Sequence, residues 1–220
     1  MASELNNRSR DATVQSRARQ DSITTALLTL LALIAFAANS IFARLALSGP
    51  SIDPASYTTV RLLTGAVTLW LIDYARRRES ITPVESAWTS AAMLFLYATT
   101  FSFAYISLTT GTGALILFAA VQITMIGLGL YAGEQPSALH WFGLLIAISG
   151  LVYLVSPGVT APSGPGSLLM ATAGVSWGIY SIVGRRVTNP LHATAGNFLR
   201  AVPLALVVLI LWSPSISITA

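Results

Sequence analysis

Long apolar runs alternate along this chain with short breaks rich in Gly, Pro and Ser, beginning at Ile23. A helix needs about 20 apolar residues to cross a bilayer, and roughly 17 to 25 are tolerated. Because lipid offers no hydrogen bonds to the backbone, each such run should be helical. The pattern predicts seven transmembrane helices, at residues 23–43, 55–73, 87–106, 112–132, 139–155, 166–183 and 195–212.

Charge points to the same class of fold. Hydrophobic residues make up 54% of the chain and charged residues 9%, whereas an average soluble domain has roughly 25% charged residues. Between Ala87 and Gly184 the only formally charged residue is Glu134. The composition excludes a water-soluble domain and predicts an all-α, polytopic membrane protein surrounded by membrane lipids.

Missing residue types exclude several kinds of chemistry. All twelve basic residues are Arg, so no lysine is present to form a retinal-type Schiff base. The chain has no Cys, which excludes disulfides and thiolate chemistry. The sequence shows no metal-ligand cluster, phosphate-binding loop or nucleic-acid-binding pattern. We therefore expect no cofactor, no metal and no nucleic-acid partner.

The arginines predict the orientation, because basic residues collect in cytoplasmic loops. With the N-terminus inside, nine arginines lie on the cytoplasmic side, and Arg44 alone ends a helix outside. The nine are Arg8, Arg10, Arg17, Arg19, Arg76, Arg77, Arg78, Arg185 and Arg186. We predict a multi-pass protein of the bacterial inner membrane with a cytoplasmic N-terminus.

The segment before the first span is polar and rich in Arg, Ser and Asp, which predicts a disordered cytoplasmic tail over residues 1–22. A cleaved signal peptide is the alternative, since Ala35-Phe36-Ala37 imitates a cleavage site. The apolar run continues past that site, which favours the tail.

Two parts of the chain resemble each other at a spacing of about 140 residues. The matched positions are Ser40 with Ser181, Ile41 with Ile182, Arg44 with Arg185 and Arg61 with Arg200. Five helices separate the copies, and because five is odd the second copy enters the membrane from the opposite face. The sequence thus predicts an inverted-topology repeat, an arrangement common among secondary transporters.

The repeat also sets the predicted domain boundaries. A first repeat covers residues 23–155, an extracytoplasmic loop covers 156–165, and the start of a second repeat covers 166–220. At the same spacing a complete second copy would continue to about residue 295. We therefore expect three helices to be missing, so that the chain is either a fragment or a truncated protein.

Three groups of residues carry a resemblance to a known family. The first is NSIFAR at 39–44, with Pro54 and RLLTG at 61–65. The second is Gly133-Glu134, with HWFG at 140–143 and GLVY at 150–153; the third is GVSWGIYS at 174–181, with Arg185-Arg186. In this order and spacing they resemble EamA-type members of the drug/metabolite transporter superfamily, over about residues 25–212.

The resemblance implies ten helices in two inverted five-helix repeats and transport of small organic metabolites, with export as the direction. One feature departs from the family pattern. Many members carry a proline in the fourth span, where this chain has Val121-Gln122-Ile123.

Arginines within the apolar spans are the first candidates for a substrate site. A charge at the bilayer centre costs about 2.5 to 3.5 kcal/mol on insertion scales. Arg61 and Arg200 lie at mirrored depths in the second and seventh spans, and we expect them to face a polar cavity and contact an anionic or carboxylate-bearing substrate. The alternative is that both side chains snorkel toward the nearer interface.

Other side chains complete the predicted substrate site: Gln122, Asn39, Trp177 and Tyr180. Amides also bond neighbouring helices, and rings also pack, so structural roles stay open for all four. Glu134 is the candidate for ion coupling, although a contact with water or a neighbouring arginine is the favoured alternative. The recurring aromatic residues of the third span are expected to pack in the core; they are Tyr97, Phe101 and Tyr105.

We predict a secondary transporter of small organic metabolites, an exporter that works by alternating access between inverted repeats. Two other classes stay open. A seven-helix receptor would suit the helix count, and an intramembrane enzyme would use Ser149 as its nucleophile. The sequence also leaves open whether the protein forms a homodimer.

Overall fold

The computed structural model describes residues 2–76, 87–155 and 162–212. This part of the chain contains seven α-helices and no strands. They are α1 (Ala2–Leu47), α2 (Pro54–Arg76), α3 (Trp88–Ala104), α4 (Thr110–Tyr131), α5 (Ala138–Val155), α6 (Gly164–Gly184) and α7 (Pro190–Trp212). Each predicted span corresponds to one helix, which confirms the all-α prediction. Arg77, Arg78, residues 156–161 of the predicted loop and residues 213–220 lie outside the described residues.

Helix α1 begins much earlier than the predicted first span. Residues 2–22, for which the sequence predicted a disordered tail, form the N-terminal part of this helix. No Gly or Pro precedes Gly49, so no strong backbone signal ends the helix before that point. Within α1, the segment Ser22–Leu47 is long and apolar enough to cross a membrane.

Four helical segments among the described residues are long and apolar enough to span a bilayer on their own. They are Ser22–Leu47, Thr110–Tyr131, Gly164–Gly184 and Pro190–Trp212. Helix α2 is less apolar because it carries Arg61, Asp73, Arg76 and several threonines, and α3 has only 17 residues. Many large apolar side chains on these helices are exposed, as lipid-facing residues are; Leu31 is 63% exposed and Ile123 is 70% exposed.

The chain divides into two units, residues 1–42 and residues 43–220. In the second unit, α2 packs against α7, and α6 packs against α3 and α4. Three contacts join α2 to α7: Thr59 with Ala205, Gly65 with Phe198, and Asp73 with His192. The contacts advance along α2 while they move back along α7, so the two helices are antiparallel. An inverted repeat requires this direction for its two equivalent second helices.

Close packing of α6 on α4 depends on two glycines. A Cβ atom on Gly174 would lie 2.6 Å from the Leu117 carbonyl oxygen, and one on Gly178 would lie 2.9 Å from the Thr124 Cβ. Small residues let helix backbones approach each other in this way. Because the two contacts advance in the same direction along both helices, α4 and α6 are parallel.

Helix α3 runs opposite to α2 and α6. Thr58 near the start of α2 donates to Ser102 near the end of α3, and the ring of Tyr97 in mid-α3 meets the ring of Trp177 in α6. Helices α2, α4 and α6 therefore finish at the same end of this unit, where α3 and α7 begin. We name it the Arg76 end, and we name the opposite end the Arg44 end.

Candidate functional site

Arg61 lies half-buried in α2, over the aromatic face of α3. Its Cζ is 5.4 Å from the centre of the Tyr97 ring and 5.1 Å from the centre of the Phe101 ring. Such cation–π contacts stabilise by about 0.5 to 2 kcal/mol, and more strongly as water is excluded. The guanidinium atom Nη1 is buried and has no hydrogen-bond partner among the described residues. A buried N–H without a partner is costly, so this position favours an added acceptor.

The rings beside Arg61 form a continuous chain of tilted and edge-to-face contacts. Tyr97 and Phe101 are 5.4 Å apart between ring centres, and Phe101 and Tyr105 are 4.8 Å apart with their planes nearly perpendicular. Trp177 of α6 lies 4.8 Å from Tyr97, and Tyr180 lies 5.4 Å from Trp177. These five aromatic residues and Arg61 are named the aromatic–arginine cluster. Its members come from α2, from α3 with its C-cap Tyr105, and from α6, so both predicted repeats contribute.

The structure brings three predicted site residues into this cluster: Arg61, Trp177 and Tyr180. The rings of α3 are core residues, as expected, but Tyr97 and Phe101 also cover Arg61. The sequence did not indicate that these rings would cover Arg61. The rings and the arginine are far apart along the chain, and only the packing of α2 against α3 brings them together.

The other predicted site residues lie elsewhere. Arg200 lies over Trp88 at the start of α3, with its Cζ 5.8 Å from the ring centre. Gln122 is exposed on α4 and lines a separate cavity. Asn39 is half-buried within the first unit of the chain. Arg200 therefore contacts the first residue of α3, whereas Arg61 contacts rings in its middle and C-terminal half.

The separate cavity has a volume of about 500 Å³ and lies between α4, α5 and the end of α6. Polar lining residues include Gln122, Glu134, His140 and Arg185. The Glu134 carboxylate is 3.5 Å from an Arg185 guanidinium nitrogen, and more than half of each side chain is exposed. An ion pair this exposed contributes little stability. It is the arginine contact that was the favoured alternative for Glu134.

The Gly133-Glu134 sequence ends α4 by a specific backbone turn. Gly133 has a φ of 85°, a left-handed conformation that favours glycine. Its N–H donates to the Leu130 carbonyl, and the Glu134 N–H donates to the Gly129 carbonyl at 2.9 Å. This pair of bonds is a Schellman motif. The turn carries the Glu134 side chain back over α4, where Gly129 leaves room for the carboxylate.

Arg44 has a role that the sequence did not indicate. The sequence placed it only at the outer end of the first predicted span. Its Nη1 donates to the carbonyl oxygens of Tyr105, at 2.6 Å, and Ile106, at 3.2 Å. The last carbonyls of a helix lack intrahelical partners, and a cation there also complements the helix dipole. Arg44 therefore caps α3.

A buried pair of titratable residues also escaped the sequence analysis. The Asp73 carboxylate Oδ2 lies 2.9 Å from His192 Nδ1, and the two side chains are 8% and 12% exposed. We expected His192 to lie in a loop, but α7 begins at Pro190, five residues before the predicted span. The Asn189 side chain accepts from the His192 N–H, so an Asn-Pro start signal places this histidine in the first turn of α7.

Comparison with known proteins points to one family. Residues 23–156 match the model of the EamA-like transporter family. Over 186 residues the chain is 46% identical to "Uncharacterized protein PA1977" of Pseudomonas aeruginosa. This alignment covers 84% of this chain and 64% of that protein. Over 83 residues the chain is 28% identical to "Uncharacterized inner membrane transporter YedA" of Escherichia coli K12, covering 38% of this chain and 27% of that protein.

A solved structure titled "Crystal structure of protein" shares the fold. It superposes with a TM-score of 0.61 at 21% identity, and the match covers 80% of this chain and 68% of that one. The chain thus spans about 64% of the length of its Pseudomonas relative and a larger part of the solved fold.

Proposed function

Because this chain belongs to the EamA-like transporter family, whose members are membrane transporters and not enzymes, we propose that it carries small organic molecules across the bacterial inner membrane. The inner membrane is the location given in the name of the Escherichia coli relative. The antiparallel pairing of the equivalent helices α2 and α7 supports alternating access between two inverted repeats.

The observation that carries the proposed site is the partly unsatisfied Arg61. A fixed positive charge with one buried, unpartnered nitrogen suits a ligand that brings an oxygen anion. The aromatic rings around it suit an apolar or planar ligand body. We therefore propose small organic carboxylates as the substrate class, bound in the aromatic–arginine cluster by Arg61, Trp177 and Tyr180.

Arg200 suggests a second position on the same path. By the repeat it corresponds to Arg61, and it too lies over an aromatic ring. Trp88 begins α3, so this arginine lies toward the Arg76 end, whereas Arg61 lies toward the Arg44 end. The arginine distribution predicts that the Arg76 end is cytoplasmic, so an exported anion would meet Arg200 first and Arg61 second. Gln122 and Asn39 remain proposed contacts at other stages of transport.

Transport assays with charge-matched variants test this proposal. The protein is reconstituted into liposomes and supplied with labelled organic carboxylates and, separately, with their uncharged amides. We expect carboxylates to be carried and amides to be excluded. Arg61→Gln should lower carboxylate transport by about tenfold or more, because a charge-assisted contact is worth roughly 1.5 to 3 kcal/mol. Arg61→Lys should retain part of the activity.

Arg186→Gln is the matched control, because it removes the same charge from an exposed residue at the Arg76 end. It should transport as the unmodified protein does. Equal transport of acids and amides, unchanged by Arg61→Gln, would overturn the anion site. Inward movement alone, with no efflux from loaded cells, would overturn export.

A further inference from the structure

The separate cavity between α4, α5 and the end of α6 has the size and lining of a ligand site. Its volume of about 500 Å³ is within the range of roughly 300 to 1,000 Å³ that is typical of sites for small organic ligands. Apolar side chains of α4 and α5 form one part of its wall; they include Met125, Ile126, Leu130 and Leu144. At the Arg76 end the wall is polar and consists of Glu134, Gln135, His140 and Arg185.

This cavity crosses the level at which lipid headgroups meet acyl chains. The 22 residues of α4 extend about 33 Å at 1.5 Å per residue, close to the roughly 30 Å thickness of the hydrocarbon core. Glu134 follows the end of α4 and Arg185 is the C-cap of α6, so both charges lie at the headgroup level. Gln122 lines the cavity from the middle of α4, so the cavity also reaches into the acyl-chain layer.

The ion pair at this end is loosely held. Glu134 Oε1 and Arg185 Nη1 are 3.5 Å apart, whereas a charge-assisted hydrogen bond measures about 2.7 to 2.9 Å. The two side chains are 60% and 51% exposed, and such an exposed pair contributes little stability. A ligand that carries both kinds of charge can therefore replace this contact at little cost.

Gly129 holds the Glu134 carboxylate beside the last turn of α4. A Cβ atom at position 129 would lie 2.8 Å from Glu134 Oε2, so the missing side chain leaves space for this oxygen. His140 lines the same end, but its Nδ1 is engaged by the Ser137 hydroxyl at 2.7 Å. Glu134 and Arg185 are therefore the charged groups that face a ligand in this cavity.

These two groups select a headgroup with two opposite charges. A phosphate suits Arg185, because a guanidinium can bind phosphate oxygens through two parallel hydrogen bonds. A primary ammonium suits Glu134, because it donates hydrogen bonds to a carboxylate that only accepts them. A headgroup with a phosphate alone would bring a like charge to Glu134. The apolar wall beyond these charges suits a hydrocarbon chain.

We propose that this cavity binds one zwitterionic phospholipid of the phosphatidylethanolamine type. The ammonium lies on Glu134, the phosphate on Arg185, and an acyl chain along the apolar wall of α4 and α5. The site goes beyond the proposed transport function and shares no residue with the aromatic–arginine cluster. Because α4 belongs to the first predicted repeat and α6 to the second, the headgroup bridges the two at the Arg76 end.

Native mass spectrometry of the delipidated protein tests the site. The protein is titrated with phosphatidylethanolamine or with phosphatidylglycerol of the same acyl chains, and the dissociation constant of the first bound lipid is measured. Both lipids carry the phosphate, but only the first carries an ammonium. Arginines near a membrane surface favour anionic lipids, so a preference for the zwitterionic lipid is the distinguishing result. We expect it to bind about fivefold more tightly or better.

Charge variants locate the two headgroup contacts. Glu134→Gln should weaken phosphatidylethanolamine to the level of phosphatidylglycerol, without weakening the latter. Arg185→Gln should weaken both lipids by about fivefold or more, because both lose the phosphate contact. Arg186→Gln is the matched control: it removes the same charge from the next residue, which is exposed and does not line the cavity, and should weaken neither.

Two glycine variants test the acyl-chain part of the site. A Cβ atom on Gly143 or on Gly150 meets nothing within 4 Å, so a larger side chain is tolerated at both positions of α5. Only Gly143 lines the cavity. Gly143→Leu should therefore weaken binding of phosphatidylethanolamine, and Gly150→Leu should leave it unchanged. Circular dichroism checks that each variant is folded.

Equal affinity of the unmodified protein for the two lipids, or a preference that persists in Glu134→Gln, would overturn the site. Displacement of the lipid by an equal concentration of soluble phosphoethanolamine would also overturn it, since the cavity would then take a water-soluble zwitterion. These results are separate from transport. Failure of carboxylate transport would leave the lipid site intact, and absence of the lipid preference would leave the transport result intact.

Discussion

At the scale of single residues, polar side chains in this protein satisfy helix ends. Arg44 binds the carbonyls of Tyr105 and Ile106, directly after the end of α3, and Gly133 turns the chain at the end of α4. Asp53 does the same at the start of α2, where its Oδ1 accepts from the N–H groups of Ala55 and Ser56 at 3.0 Å each. Pro54 follows as the first helical residue, which suits its fixed φ and missing N–H.

Removal of the Asp53 cap should destabilise the protein. We expect Asp53→Ala to cost about 1 kcal/mol, measured as a lower midpoint of thermal unfolding in detergent. Burial raises the pKa of Asp53, but hydrogen bonds from the Ser56 side chain and from the Ser56 and Ala55 N–H groups outweigh it, so the pKa lies below 3.8. The depressed pKa means that the ionised cap stabilises the fold above that value and ceases to do so as pH falls through the folded-state pKa.

The difference between Asp53→Ala and the unmodified protein should therefore be full at neutral pH and shrink in acid. Asp53→Asn keeps an acceptor oxygen without the charge, so its midpoint should stay close to the original at pH 7. If Asp53→Ala unfolds at the original temperature at pH 7, the side chain does not cap α2.

At the scale of elements, length and hydropathy were sufficient to predict the helices. The first and last residues of the helices were harder to predict. Helix α1 continues to Ala2 because nothing interrupts it, and α7 begins early because Asn189 and Pro190 act as a start signal. Gly174 and Gly178 let α6 approach α4 closely, but the sequence alone could not name α4 as the partner, since partner choice depends on the whole assembly.

The α4–α6 contact gives a test with an internal control. Gly174→Ala would place its Cβ 2.6 Å from the backbone oxygen of Leu117, which cannot move without shifting the helix. We expect a loss of about 1 to 3 kcal/mol, the usual range for overpacking, seen as a lower unfolding midpoint. Gly127→Ala also lies in a helix of this contact but meets open space, so it should be neutral or stabilising. Equal effects of the two substitutions would contradict the close approach.

At the scale of the whole molecule, the sequence predicted an inverted repeat from residues that match at a spacing of about 140 positions. The antiparallel direction of α2 and α7 agrees with that prediction. The sequence did not place the candidate site. The sequence predicted that Arg61 and Arg200 face one polar cavity. In the structure each of them lies over a different aromatic side chain. The cluster also draws on Tyr97 and Phe101, whose even spacing on one helix is equally typical of core packing. Only the packing of α2 against α3 shows that these two rings cover Arg61 in addition to packing in the core.

The alignment of α2 with α7 can be tested by cross-linking in the cysteine-free chain. Thr59→Cys with Ala205→Cys joins positions whose side chain and carbonyl are 3.3 Å apart, so a short bifunctional thiol reagent should link them efficiently. Thr59→Cys with Ala193→Cys places the second thiol at the other end of α7 and should remain unlinked. Proteolysis between the two helices, followed by electrophoresis, distinguishes the products. Similar yields for both pairs would refute the antiparallel register.

The two rings that cover Arg61, Tyr97 and Phe101, also affect how fast a ligand could bind and leave. Under the proposed function, an anion that binds the buried Nη1 of Arg61 would have to displace the neighbouring Tyr97 and Phe101 rings, which are 6% and 0% exposed. The observed binding rate would then reach a plateau at high ligand concentration, because the ring movement and not diffusion would limit it. Under the proposed alternating access, the same rings would also slow departure, so that a bound molecule stays while the two halves exchange positions around it.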